Sequence, residues 1–174
     1  MYQFRREPLT KDEANRLKNA CVTVEERVVV YTLLDTGIRV AELAGIIKDR
    51  VDWQGHRLTI YGKGGPSGKM SKRRVVNISP TLRAVLEPYV LAHGGVKMGV
   101  RKIQRIVRKV ANRAGITRAT SPHVLRHTFA VTSLQKGISA PALMKILGHA
   151  NLATTMIYLN LSPEEALREF QEKW

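Results

Sequence analysis

The chain has 174 residues, the size of one ordinary domain, and its 44% hydrophobic content supports a packed core and excludes global disorder. Lys and Arg number 29 against 14 Asp and Glu, a formal charge of +15 that raises the local concentration of polyanions, DNA being the commonest; a solvated or ribosome-like basic surface explains the charge equally well. The single cysteine, Cys21, excludes an internal disulfide and reads as a small buried hydrophobe. No apolar run approaches the length of a membrane span, and Met1–Arg6 lacks the apolar stretch of a signal peptide, so the expected location is the cytoplasm or nucleoid.

In chain order, Thr10-Lys11-Asp12-Glu13 has capping-box spacing and predicts a helix to about Ala20. A buried helix is expected over Val24 to Asp35, broken by Gly37, and a short one over Arg39 to Ile46. The pattern then turns to strands. Arg57–Tyr61 and Arg73–Ile78 are β-rich runs, with Val51-Asp52-Trp53 as a third short candidate, so a small antiparallel sheet is expected. Between the two longer runs, Gly62 to Lys72 holds four glycines and a proline and reads as a loop.

The rest reads as helix. Ser79-Pro80 starts one to about Ala92, and a strongly basic amphipathic helix covers Val100 to Ala114. Ser121-Pro122 starts a third, to about Lys136, and Ala140 to Leu147 is a short one closed by Gly148. Asn151 caps another through Tyr158, and Ser162-Pro163 starts a tail helix over about 162–174. The expected fold is therefore a single mainly α domain over 1–174 with one small antiparallel β-sheet, an α+β arrangement.

Six residues could carry chemistry: Arg39 after the Gly37 break, Lys63 at the entry to the glycine-rich loop, His123 and Arg126 at i and i+3 on one helix, His149 after Leu147-Gly148, and Tyr158 nine residues later. Singly, each has a plain structural reading. Arg39 pairs with Glu42 on a helix surface, Lys63 is solvated, His123 and His149 satisfy helix ends, and Tyr158 is a half-buried aromatic. His56, His93 and His127 keep such readings, as do Tyr31, Tyr61 and Tyr89. Together the six suit phosphoryl transfer. Two guanidiniums clamp a phosphodiester and stabilise the charge that builds in the transition state. A tyrosine hydroxyl attacks once its proton is removed, histidine takes that proton, and a lysine protonates the departing oxygen.

Arg, Lys, His-x-x-Arg, His and Tyr in this order resemble the tyrosine recombinase family, which includes phage integrases and the Xer recombinases. Thr36-Gly37-Ile38-Arg39-Val40-Ala41-Glu42-Leu43 resembles its first arginine motif, and Gly62-Lys63-Gly64 its lysine hairpin, 24 residues after Arg39. His123-Val124-Leu125-Arg126-His127-Thr128-Phe129-Ala130 resembles its central motif. Leu147-Gly148-His149, 23 residues after Arg126, and Thr154-Thr155-Met156-Ile157-Tyr158 complete the set. The resemblance runs from about Leu9 to Tyr158.

The resemblance implies roles. Arg39 and Arg126 would bind the scissile phosphate, with His149 helping to hold it. Lys63 would be the general acid, Lys69 and Lys72 being weaker candidates, and His123 would act as base toward Tyr158 or hydrogen-bond in the site. Tyr158 would form a 3′-phosphotyrosine intermediate without ATP, metal or other cofactor, and Glu42 would orient active-site groups. The implied partners are double-stranded DNA and further recombinase protomers, as a dimer or tetramer on DNA. The apolar face of Leu167, Phe170 and Trp174 would dock either on its own domain or on a neighbour. For DNA contact, Lys69, Lys72, Arg101, Lys102, Arg105, Arg108 and Lys109 are the candidates, five of them on the basic helix.

Family members usually carry a separate N-terminal core-binding domain. The catalytic pattern here begins almost at Met1, so the expectation is a chain without that domain. The alternatives are a type IB topoisomerase-like activity, against which the Gly-His then Tyr spacing speaks, and a DNA-binding fragment with little cleavage of its own.

Overall fold

The computed structural model describes residues 7–62 and 72–149. The first helix, α1 (Lys11–Asn19), opens with the expected box: Thr10 Oγ1 accepts from Glu13 N at 3.2 Å, and Glu13 Oε2 accepts from Thr10 N at 2.8 Å. The second, α2 (Val24–Thr36), opens with the same box built by Thr23 and Glu26. Val28, Val29, Val30 and Leu33 are fully buried, and α2 packs against α1 and the later helices α4 (Pro80–His93), α5 (Val100–Arg113) and α6 (Pro122–Gln135). From Val28 to Leu34 every residue but Tyr31 is buried, so this stretch of α2 lies within the core while its charged first turn reaches water. Gly37 ends α2 in the left-handed region at φ +62°.

The next helix, α3 (Val40–Ala44), is shorter than the sequence suggests. Arg39 stands at its N-cap with extended backbone, held there because Glu42 Oε2 accepts from Arg39 N at 2.7 Å. A 3-10 turn over Lys48–Arg50 leads into the sheet, β1 (Val51–Asp52), β2 (Arg57–Gly62) and β3 (Lys72–Asn77), antiparallel in that order. The pairs Leu58–Val76, Ile60–Arg74 and Gly62–Lys72 set the register. Leu58, Ile60, Val76 and Ile78 are buried, so one face of the sheet closes the core.

Ser79 caps α4 by accepting from Leu82 N and donates to Asp35 Oδ2 at 3.0 Å, while Lys18 Nζ meets Asp35 Oδ1 at 2.6 Å; these bonds tie α1, α2 and α4. Ser121 caps α6 and Ser139 caps α7 (Ala140–Leu147), each followed by a proline in the first turn. Ala130, Leu143 and Leu147 form a second, smaller apolar cluster between α6 and α7, with Phe129 packed on it. The arrangement is the expected mainly helical domain with one small antiparallel sheet. The glycine-rich loop, the helix expected after Asn151 and the tail over 162–174 lie outside the described residues. Among the described residues no helix is long and apolar enough to cross a membrane.

Candidate active site

Two of the six residues singled out in the sequence, Arg126 and His149, are in contact, and the charge of Arg39 is felt at the His149 ring. Arg126, on α6, is buried with only 4% of its surface exposed. Its Nη1 donates to the Gly37 carbonyl at 2.6 Å, and its Nη2 donates to the Leu147 carbonyl at 2.8 Å. Nη2 also lies 3.0 Å from His149 Nε2. The guanidinium therefore bridges the break after α2 and the break after α7, which stand just before Arg39 and His149. Charge-assisted bonds of this kind hold a buried cation that would otherwise be costly.

The glycines at those two breaks are required by space as well as by backbone. At Gly37 a Cβ would stand 2.2 Å from Phe129 Cδ1, so the ring of α6 closes over the residue whose carbonyl receives Arg126. At Gly148, φ +68°, a Cβ would stand 3.0 Å from Arg74 Cδ. Any other residue would be strained in both places.

His149 is held neutral. Burial pushes its ring pKa down from 6.5 to about 4, with the charges of Arg126, Arg39 and Arg74 adding to the effect. Arginine only donates, so Nε2 is the acceptor in the Arg126 contact and the neutral ring carries its proton on Nδ1. His123 lies one turn before Arg126 on α6 and is exposed between the buried Pro122 and Val124.

Arg39 is half-exposed and reaches Glu42 Oε1 through Nη1 at 3.2 Å. The pairing of Arg39 with Glu42 is present but does not lie at the surface: the Glu42 side chain is only 6% exposed, and Arg39 is the weaker of its contacts. Arg74, from β3, donates to both carboxylate oxygens of Glu42 at 2.7 Å each and to the Ile146 carbonyl at 2.7 Å. Burial raises the Glu42 carboxyl, but the Arg74 fork and the Arg39 backbone N–H outweigh it, and the pKa ends below its ordinary value. The sequence reading passed over Arg74. Its parity was the available signal: Arg74 shares a strand face with Val76 and Ile78, so it points toward the core.

Lys63 follows directly on the last paired residue of β2, Gly62, and lies outside the described residues, as do Lys69 and Tyr158. Lys72 starts β3. On α5, Ile103, Val107 and Val110 face the core, and Arg101, Lys102, Arg105, Arg108 and Lys109 are exposed. Two of these cations have acidic partners within the domain: Lys102 meets Glu25 at 2.6 Å, and Lys109 lies 3.5 Å from Glu26. His93 keeps its structural role, donating from Nδ1 to the Tyr89 carbonyl at 2.8 Å and stacking on the Tyr89 ring. Cys21 is buried as expected. No cluster of three or more His, Cys, Asp or Glu able to hold a metal ion occurs among the described residues.

The model of the phage integrase family matches residues 7–165. The chain belongs to the phage integrase family. Among the integrase-family relatives, the tyrosine recombinase XerC of Listeria monocytogenes serotype 4a (strain HCC23) is 32% identical over 158 residues, which cover 84% of this chain and 53% of that protein. The tyrosine recombinase XerA of Thermococcus kodakarensis (strain ATCC BAA-918 / JCM 12380 / KOD1) is 33% identical over 181 residues, covering 95% of this chain and 61% of that protein. This integrase-family chain thus spans about half to three-fifths of the length of those two relatives. Among solved structures, the XerA recombinase crystal structure superposes with a TM-score of 0.83 at 31% identity, over 99% of this chain and 65% of that one. XerH bound to its difH substrate, in a pre-cleavage complex, has a TM-score of 0.74 at 19% identity over 93% of this chain and 52% of that one, a likeness of fold alone.

Proposed function

We propose that this integrase-family chain is the catalytic domain of a site-specific DNA recombinase that breaks and rejoins strands through a 3′-phosphotyrosine bond. The observation that carries the reading is the buried Arg126, fixed by two carbonyls and set 3.0 Å from His149 Nε2. A cation held this rigidly beside a neutral histidine is pre-organised for a phosphodiester, because it needs no rearrangement as negative charge develops.

In the proposed reaction Arg39 and Arg126 clamp the non-bridging oxygens, and the His149 Nδ1–H donates to the same phosphate. The Tyr158 oxygen attacks phosphorus while its proton passes to His123. The bond from phosphorus to the 5′-oxygen breaks, and Lys63 protonates that oxygen as it leaves. The phosphotyrosine bond keeps the energy of the broken linkage, so attack by a 5′-hydroxyl reverses the step and rejoins a strand. Glu42 holds Arg39. The partners are double-stranded DNA and further protomers, with Arg101, Arg105 and Arg108 of α5 and the hairpin lysines Lys69 and Lys72 contacting DNA, and Leu167, Phe170 and Trp174 docking on a neighbour. Such a protein works on nucleoid DNA in the cytoplasm.

The test is a pool of nicked duplexes with randomised arms, incubated with the protein and run on a denaturing gel. A covalent protein–DNA adduct that disappears in Tyr158→Phe is expected. Binding to duplex without any adduct would leave a DNA-binding domain, and relaxation of supercoiled plasmid without strand exchange would leave a topoisomerase-like activity.

A further inference from the structure

We infer that Arg74 is a positioning residue of this site, joining the β2–β3 hairpin to the elements that carry Arg39 and His149; the purpose of that coupling rests on the DNA-cleavage reading. Its three guanidinium nitrogens are each committed to protein oxygens: Nη1 and Nη2 to the Glu42 carboxylate, Nε to the Ile146 carbonyl, all at 2.7 Å. Arg74 is thus occupied inside the protein and acts through others, unlike the half-exposed Arg39.

Two chains of contact leave it. The first runs through Glu42, whose carboxylate oxygens also receive the Arg39 backbone N–H at 2.7 Å and the Arg39 guanidinium at 3.2 Å. A fork on one side of the carboxylate fixes the plane that the other side offers to Arg39. The second runs to the end of α7. Arg74 holds the Ile146 carbonyl and lays its stem against Gly148, so tightly that a Cβ there would stand 3.0 Å from Cδ. The next residue is His149, and the intervening Leu147 carbonyl accepts from Arg126. Arg74 therefore holds the turn that carries His149 and offers a carbonyl to Arg126, and its charge is one of three that lower the His149 ring pKa.

Arg74 stands two residues after Lys72, whose partner across the sheet is Gly62, and Gly62 precedes Lys63. Arg74 belongs to the β2–β3 stem, whose last described pair is Gly62 with Lys72. A shift of that stem reaches Arg39 and His149 through one side chain.

The test compares the protein with Arg74→Lys, which keeps the charge but not the fork. The control is Arg113→Met, which removes a bidentate arginine from Glu26, a carboxylate of α2 outside the site. The first readout is the His149 ring in a long-range ¹H–¹⁵N spectrum at pH 7.5, without DNA. Wild type and Arg113→Met are expected to show one tautomer, protonated on Nδ1, and Arg74→Lys an average of both. The second readout is adduct formation on the nicked-duplex pool. There Arg74→Lys is expected to be slower by about 100-fold at saturating DNA with the DNA affinity unchanged, the loss typical of a site displaced by about 1 Å. If Arg74→Lys does not fold, Arg74→Met with Glu42→Gln, which leaves no lone buried charge, replaces it with the same expectation. A wild-type His149 signal in the Arg74 variant, or an equal disturbance in Arg113→Met, overturns the inference. Absence of any adduct in wild type overturns the cleavage reading instead, and the ring spectrum still decides the role of Arg74.

Discussion

Arg126 Nη2 and His149 Nε2 lie 3.0 Å apart, and because the arginine can only donate, this contact decides which ring nitrogen of His149 bears the proton. The same contact disfavours an imidazolium, since it would set two positive charges against each other. With burial as the larger cause, the ring pKa falls to about 4.

The expected consequence is a His149 ring that titrates near pH 4, against 6.5 for an ordinary histidine. The unfolded chain takes up the proton at the higher pH. The folded state therefore loses stability as pH falls from 6.5 toward 4, and this loss levels off below that. An NMR titration of the ring carbons checks it, and a midpoint at 6 or above would contradict the assigned geometry. Saturating inorganic phosphate is expected to raise the midpoint, since an anion between Arg39 and Arg126 offsets their charge.

Gly37→Ala is expected to be severe for a small change. It places a methyl group in the left-handed region and into the Phe129 ring, 2.2 Å from Cδ1. Strain and overpacking together cost about 2–4 kcal/mol, a fall in Tm of roughly 5–15 °C for a domain of this size. Calorimetry measures it. Because the Gly37 carbonyl receives Arg126, adduct formation is expected to fall further than stability alone explains. Phe129→Ala is expected to cost less in the Gly37→Ala background than in wild type, because the truncation clears the space the methyl group needs without removing the backbone strain.

Acid unfolding is expected to be governed in part by Glu26, a buried carboxylate far in sequence from the site residues of α6. The Arg113 fork, followed by the backbone N–H groups of Val22 and Thr23, brings its pKa from 4.5 to about 2. A depressed carboxyl stabilises the fold above pH 4.5 and loses that contribution as pH falls through 2. Thermal melts between pH 6 and pH 2 should show a steep acid limb in wild type and a shallower one in Glu26→Gln. Identical limbs would remove Glu26 from the account.

DNA affinity is expected to fall steeply with salt. Arg101, Arg105 and Arg108 on the exposed side of α5 are part of a formal charge of +15, and each phosphate contact releases a condensed counterion. Six or more contacts correspond to a loss of roughly 10³-fold between 50 and 200 mM salt. Fluorescence anisotropy on a labelled duplex measures the slope; a flat plot would argue against a phosphate-tracking surface. Arg105→Gln is expected to reduce the slope more than Lys102→Gln, because Lys102 already meets Glu25 at 2.6 Å.

Within the described residues the sequence by itself determined most helix starts, the strands and the order of the chemistry-bearing residues. Thr10 with Glu13, Ser79 with Pro80 and Ser121 with Pro122 are local signals, since a cap satisfies backbone groups within three residues of itself. The membership of Arg39, Arg126 and His149 in one set was legible from motif order. What joins them was not. Arg126 reaches Gly37 across 89 residues, Arg74 reaches Glu42 across 32 and Ile146 across 72, and Arg113 reaches Glu26 across 87. Such partners are chosen by how helices and sheet pack, which no local pattern encodes. The same packing settled that Arg74 is held inside the protein while the neighbouring Arg73 is exposed, two identical residues separated only by the alternation of a strand whose inner face the core had claimed.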